Sequence, residues 1–209
     1  MMFTVIMQSY ITDDSRIEKL HRAISSVLGQ ITKVHFELLI IADGCDITFN
    51  EVSTAYKAEF DSHKPRLRLF KVSNDHKVKG KYYSKGRNTG LSYARGEWVL
   101  YLDNDDYYTN DYLNKLSKYL NGAIDWFIVD DFTWVNYSWK QRRCNLKLSH
   151  CGTANIIHKS TMVSRWPNCT SYGRDDWSFI SNLRHESKNF RHLDIAGYCV
   201  CNIPRKYTK

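Results

Sequence analysis

The sequence predicts an α/β fold, a sheet with helices on both faces, within one domain. Three observations predict it. Strand-sized apolar runs alternate with stretches of helical periodicity. The chain has 209 residues, enough for one core and short for two. Acidic residues gather directly where the apolar runs end, the place where ligands meet such sheets.

In order, residues 3–8 (FTVIMQ) read as a first strand. Residues 15–28 place Ile17, Leu20, His21, Ile24, Val27 and Leu28 at helical spacing, and Gly29 is the expected stop. Residues 36–42 (FELLIIA) read as a buried strand ending in the turn signal Asp43-Gly44. A helix is predicted over 51–60 and a third strand over 67–72. Residues 87–95 read as a helix ended by Gly96. The strand 97–102 (EWVLYL) runs straight into Asp103-Asn104-Asp105-Asp106. A helix over 112–120, short strands over 126–129 and 132–137, and a helix from 177 to 183 complete the pattern. Trp98 and Trp126 are expected in the core. There is no internal repeat or low-complexity tract.

No apolar run approaches bilayer-spanning length, and residues 1–10 lack the basic region and cleavage site of a signal peptide. A cytoplasmic location is expected. The six cysteines, 45, 144, 151, 169, 199 and 201, include one close pair and no zinc-ribbon partner for it. Buried thiols are expected rather than a zinc site. Net charge is +8, and residues 64–95 carry ten Lys or Arg against the single acid Asp75. Such a field favours an anionic partner, although a merely solvated surface fits equally. A second basic cluster holds Lys140, Arg142, Arg143 and Lys147.

Three aspartates within four residues repel one another, and a divalent cation removes that cost. Mn²⁺ and Mg²⁺ prefer carboxylate oxygens and commonly share them with substrate phosphates. The competing reading is helix capping by the same residues. Arg87, one helix upstream, suits a diphosphate because its donors are forked and permanently charged; the alternative is a surface arginine at a helix start.

Residues 85–106 (KGRNTGLSYARGEWVLYLDNDD) resemble the ARN-x-G … G-E-aromatic, strand, D-x-D-D run of family-2 glycosyltransferases with the GT-A fold. Three further segments agree in order: 20–30 (LHRAISSVLGQ) with their first helix, 36–45 (FELLIIADGC) with their FELIIVDDGS strand and turn, and 173–177 (GRDDW) with their late GxEDW element. The likeness runs from residue 3 to about 185. It implies a single GT-A domain over 1–209 with a mostly parallel sheet. Residues 1–106 would form the nucleotide-sugar half and 107–209 the acceptor half.

The resemblance also implies roles. Asp43 would bind the nucleotide base, Arg87 and Asn88 the nucleotide or diphosphate, and Asp103 the ribose or metal. Asp105 would bind Mn²⁺ or Mg²⁺. Asp176, or its neighbour Asp175, would be the general base of an inverting displacement from a nucleotide-diphosphate sugar, most commonly a UDP-sugar. Ala42 and Cys45 depart from DDGS, and Asp175 replaces the usual Glu. His192 and His185 are candidates for a further metal ligand, with ordinary surface or core histidines as the alternative.

For the acceptor, a hydroxyl on a modified DNA base (phage-type DNA glycosylation) is preferred over a saccharide of envelope polysaccharide or lipopolysaccharide. The reason is interleaved cations and aromatics: Lys77, Lys79, Lys81, Tyr82, Tyr83 and Lys85, then Trp134, Trp139, Arg142 and Arg143. Residues 77–85 are expected to close over the donor. A non-catalytic binding module on the same scaffold is the alternative of another class. A nucleotidyltransferase is disfavoured because Gln8-Ser9-Tyr10-Ile11 stands where a Gly-rich phosphate loop would be.

Overall fold

A computed structural model describes residues 2–73, 84–120, 122–167 and 175–201. Strands β1 (Met2–Ser9), β2 (His35–Asp43), β3 (Leu67–Val72) and β4 (Trp98–Tyr101) are the four apolar runs of the first half. They pair in parallel, β1 lying between β2 and β4, with β3 outside β2. Burial on both faces explains the near-continuous apolar sequence of β1, β2 and β4; in β2 only His35 is exposed, whereas β3, outside β2, buries only Leu67. Beyond β4 the sheet continues through β8 (Ile156–Lys159), β6 (Trp126–Val135), β9 (Phe190–Val200) and β5 (Tyr107–Tyr108). Strand β7 (Ser138–Arg142) forms a hairpin with β6. The α/β expectation holds, and the longest pairings, β1 with β2 and β6 with β9, are parallel. Antiparallel strands enter only on the side of the second half.

Helices cover both faces. On one side, α1 (Ile17–Leu28) and α5 (Tyr112–Ser117) pack Leu20, Ile24, Val27, Leu113 and Leu116 against Val5, Met7 and Leu100. On the other, α4 (Ser84–Tyr93) and α6 (Asp175–Glu186) pack against Ile6, Val99 and Tyr101. Trp98 and Trp126 are fully buried, as expected.

The helix α4 lies unusually close to β1. A Cβ on Gly90 would stand 2.5 Å from Ile6 Cγ2, and one on Gly86 would stand 2.7 Å from the Gln8 side chain. The two glycines, four residues apart, share the face that meets the sheet. That approach carries Arg87 to the carboxyl ends of the strands.

Several boundaries differ from expectation. The helix predicted over 51–60 is two, α2 (Asp46–Ala55) and α3 (Lys57–Phe60). It starts early because the Cys45 sulfur accepts from the Thr48 amide at 3.4 Å, the capping role of a serine. The run at 126–129 and residues 132–135 of the next one form one strand, β6, because the acids between them, Asp130 and Asp131, have hydrogen-bond partners in Gln141, His192, Arg142 and Asn155; Asn136 and Tyr137, both at positive φ, turn into β7. α5 tightens into i to i+3 bonds after Ser117 and ends short of 120. β5, β7, β8 and β9 were not expected. Among the described cysteines, 45, 144, 151 and 199 are buried free thiols and Cys201 is partly buried; Cys169 lies outside the described residues. No helix of the described residues is long and apolar enough to cross a membrane.

Candidate active site

The carboxyl ends of β1, β2 and β4 bring together residues far apart in sequence. Asp43, the last residue of β2, is fully buried and accepts from Gln8 Nε2 at 2.7 Å. The same Gln8 amide accepts from the Arg87 backbone N–H at 3.1 Å. Gln8 therefore ties the end of β2 to the first turn of α4. In the sequence, Gln8 ends the first strand and argues against a phosphate loop, and neither reading points to this tie.

The acidic run after β4 divides into two jobs. Asp106 is buried and points inward, accepting from the Tyr198 hydroxyl at 2.8 Å and the Cys201 amide at 2.7 Å. Burial first, then the facing Asp103, push its carboxyl up to about 7. Tyr198 in turn accepts from the Asp103 amide at 3.0 Å, so β9 fixes the loop from below. Asn104 donates to Ser9 Oγ at 2.9 Å, and Arg22 of α1 donates to the Asp105 carbonyl at 2.6 Å. These bonds leave the carboxylates of Asp103 and Asp105 as the outward-facing pair. Capping does not explain the run: β5 separates it from α5, whose own N-terminal Asp111 makes no side-chain cap.

Arg87 occupies the centre. Its guanidinium lies 3.3 Å from Asp103 and 3.6 Å from Asp176. Desolvation works against its charge, but Asp103 and Asp176 outweigh it and raise its pKa. Asp103 is pushed above the usual carboxylate range by desolvation, with Asp176 and Asp105 adding to the shift and Arg87 opposing it. One guanidinium thus meets two carboxylates, Asp103 and Asp176, with Asp105 acting on Asp103 beside them. An oxygen-only, net negative donor set of this kind fits Mn²⁺ or Mg²⁺ completed by substrate oxygens. Among the described residues, no three His, Cys, Asp or Glu side chains gather to hold a metal by themselves. His192 is engaged 2.8 Å from Asp130, and His185 is exposed in the last turn of α6; neither joins the aspartates.

Asp176 begins α6. Its Oδ1 accepts from the Thr153 hydroxyl at 2.7 Å, while Oδ2 has no hydrogen-bond partner among the described residues. Gly152 keeps that side open: a Cβ there would stand 3.0 Å from Oδ2. Asp175, its neighbour, is buried and only 9% exposed. Thr153, which sequence reasoning missed, is held by a buried network. Asn155 accepts from the Gly152 amide at 2.9 Å and donates to the Val129 carbonyl at 3.1 Å and to Asp131 at 2.9 Å.

Two of the expected contact residues have protein partners. Asn88 was expected at the nucleotide. Its amide bonds both the N–H and the carbonyl of Trp166, each at 2.9 Å, and so clamps a neighbouring loop. Arg142 was expected at an acceptor. It forks onto Asp131, which is fully buried, and that charge requires its partner. Arg143 is exposed. Trp134 and Trp139 face each other across the β6–β7 hairpin with centroids 5.3 Å apart, and Trp139 meets the edge of Tyr107 at 5.8 Å. Lys77, Lys79, Lys81, Tyr82 and Tyr83, and with them most of the expected closing segment, lie outside the described residues.

Comparison with known proteins gives the family and the fold. The sequence model described as Glycosyl transferase family 2 matches residues 4–182, well over half of the chain. Poly(ribitol-phosphate) beta-N-acetylglucosaminyltransferase TarP of Staphylococcus aureus is 35% identical over 103 residues, covering 49% of this chain and 29% of its own length. An uncharacterized glycosyltransferase of Rickettsia felis is 31% identical over 106 residues, 51% of this chain and 16% of that protein. The chain therefore spans less than a third of either relative. In fold, it is similar to S. aureus TarS 1–349 in complex with UDP-GlcNAc (TM-score 0.72, 20% identity, 96% of this chain and 58% of that one). It is also similar to the mannosyltransferase PcManGT of Pyrobaculum calidifontis in complex with GDP-Man and Mn²⁺ (TM-score 0.67, 16% identity, 98% and 58%). The fold is that of GT-A glycosyltransferases, and the chain belongs to glycosyl transferase family 2.

Proposed function

We propose that this glycosyltransferase is inverting and metal-dependent, and that it moves a sugar from a nucleotide diphosphate, best read as a UDP-sugar, to an acceptor hydroxyl. The observation that carries the reading is Arg87 held between Asp103 and Asp176 at the strand ends. It supports a permanent cation for the diphosphate between a carboxylate suited to the metal and a carboxylate whose Oδ2 has no hydrogen-bond partner among the described residues. Residues 1–106 supply the donor site: Asp43 for the base, Arg87 for the diphosphate, Asp103 and Asp105 for Mn²⁺ or Mg²⁺. Bound there, the cation offsets the charge of the leaving diphosphate. Residues 107–209 supply the acceptor side. Asp176 Oδ2 takes the proton from the acceptor hydroxyl, whose oxygen bonds to the anomeric carbon as the nucleotide diphosphate departs. Thr153 orients this base through Oδ1. The burial of Asp175 favours Asp176 for the role.

For the acceptor, the better reading is an anionic saccharide or polyol-phosphate chain. The TarP name specifies poly(ribitol-phosphate), and Lys140, Arg143 and Lys147 are exposed here. A hydroxyl on a modified DNA base is the second reading. It keeps the support of Trp139, 36% exposed beside Trp134, but loses Arg142 to its structural pair.

The test is a thermal-shift panel of sugar nucleotides with Mn²⁺, each repeated with chelator. A shift that requires both nucleotide and metal is expected, by linkage of binding to stability. Asp176→Asn should abolish transfer and keep that shift. Absence of any shift would instead favour a non-catalytic module. Salt-sensitive affinity for duplex DNA would revive the second acceptor reading.

A further inference from the structure

The site holds a buried aromatic that the catalytic reading does not use. Trp166 is 2% exposed. The Cζ of Arg87 lies 4.3 Å from the centroid of its ring, and Phe179 stacks on the indole at 4.1 Å with planes 12° apart. Two groups each about 4 Å from one indole have no room on the same side, so Arg87 and Phe179 take opposite faces. Phe179 lies three residues after Asp176 on α6 and thus on the same side of that helix. The contacts close a ring: Arg87 to Asp176, along α6 to Phe179, through Trp166 and back to Arg87.

The indole itself is held from three directions. Asn88, next to Arg87, binds both backbone groups of Trp166. Glu186, at the other end of α6, accepts from the amides of Val163 at 2.7 Å and Ser164 at 2.8 Å, anchoring the loop that carries the ring. Tyr101 of β4 meets the indole edge-on at 5.1 Å. An aromatic face attracts a guanidinium most strongly when both are desolvated, and Arg87 is 8% exposed.

We propose that Trp166 is a positioning residue. It acts through Arg87, fixing the guanidinium at the height where it meets Asp103 and Asp176 together. Without the aromatic face, the long arginine side chain regains rotamers in which it pairs with only one of the two acids. This deepens the donor reading above and rests on it only for the second of two measurements.

The first measurement needs no substrate. In the ¹⁵N-labelled chain, the Arg87 Hε resonance is identified by its loss in Arg87→Lys. It should lie upfield of ordinary arginines through the indole ring current, return to the ordinary position in Trp166→Leu, and move partway in Trp166→Phe. The second is the Kd of UDP with Mn²⁺ by calorimetry. Trp166→Leu should weaken UDP about tenfold in the Arg87 background and less than about twofold in an Arg87→Met background, because the effect passes through Arg87. Equal losses in both backgrounds would show a merely structural tryptophan and overturn the proposal. So would an Arg87 resonance unmoved by Trp166→Leu or, should that variant not fold, by Trp166→Phe. If the wild-type chain binds no UDP, the donor reading fails and the Arg87 resonance alone decides.

Discussion

Gly90→Ala is the sharpest test of how α4 is seated. The added Cβ would stand 2.5 Å from Ile6 Cγ2 and 3.2 Å from both Cδ1 and Cγ1. Carbon atoms in contact sit about 3.5–4.0 Å apart, so α4 must lift by about 1 Å or Ile6 must leave its rotamer. Ile6 is 1% exposed, packed among Val99, Tyr101 and Leu91, and its β-branch restricts χ1. Overpacking of this kind costs about 1–3 kcal/mol. Alanine returns about 1 kcal/mol through its better helix propensity. The net destabilisation should be about 1 kcal/mol, or about 2–4 °C in Tm for a chain of this size. The functional loss should be larger. Arg87 rides on the same helix, and a displacement of about 1 Å at a catalytic group can cost about a hundredfold. Urea unfolding and donor turnover, measured on the same preparation, separate the two quantities. A Gly90→Ala chain more stable than wild type and fully active would refute the close seating of α4 on β1.

Two further outcomes follow from the site. Thr153→Val removes the bond to Asp176 Oδ1 while keeping the side chain's shape, and should lower kcat about tenfold with little change in nucleotide affinity; Thr153→Ser should restore it. An unchanged kcat would remove Thr153 from the orientation of the base. Asp106→Asn should alter the pH dependence of stability. The folded-state carboxyl is raised to about 7, above the ordinary value of about 3.9. Its contribution is therefore fully present below pH ~4 and is lost as pH rises through ~7, at most about 4 kcal/mol. Relative to wild type, the asparagine variant should gain between pH 5 and pH 8 in urea midpoints measured with chelator present. The same difference at both pH values would count against a buried, protonated Asp106.

The parts of the molecule legible in the sequence are those where one physical signal dominates. β1, β2 and β4 are buried on both faces, so they read as plain apolar runs, and the acids that follow them stand out. The second half mixes signals. In β9 the first residues are poorly covered, Phe190 and His192 partly and Arg191 not, and register shifts against β6 break the alternation that marks a strand. β6 was split by Asp130 and Asp131 because their partners, His192 and Arg142, come from elsewhere in the chain. The same limit applies at the site. Composition picks out Asp103, Asp105 and Asp106 together, but only the fold turns Asp106 inward against Tyr198. Thr153 and Trp166 sit in no motif, and what makes them candidates is distance to Asp176 and Arg87. Asn88 shows the converse: it lies within a motif, yet it is spent on the Trp166 backbone.

In α4 the residues that seat the helix and the residue that serves the site are interleaved. Gly86 and Gly90 set the height of the helix over β1, Arg87 follows Gly86 directly, and Asn88 holds the loop that stacks on Arg87. A change in helix height therefore moves the cation, its aromatic support and its link to Asp43 through Gln8 all at once. Arg87 faces acids from two elements, Asp103 after β4 and Asp176 on α6, and its charge offsets only part of theirs. Any ligand that neutralises Asp103 weakens the pull of that acid on the guanidinium and shifts the balance toward Asp176. Arg87 thus stands between two pairings, one with each acid. That depends on Arg87 staying within reach of both acids, which is what the two glycines below it and the indole beside it enforce.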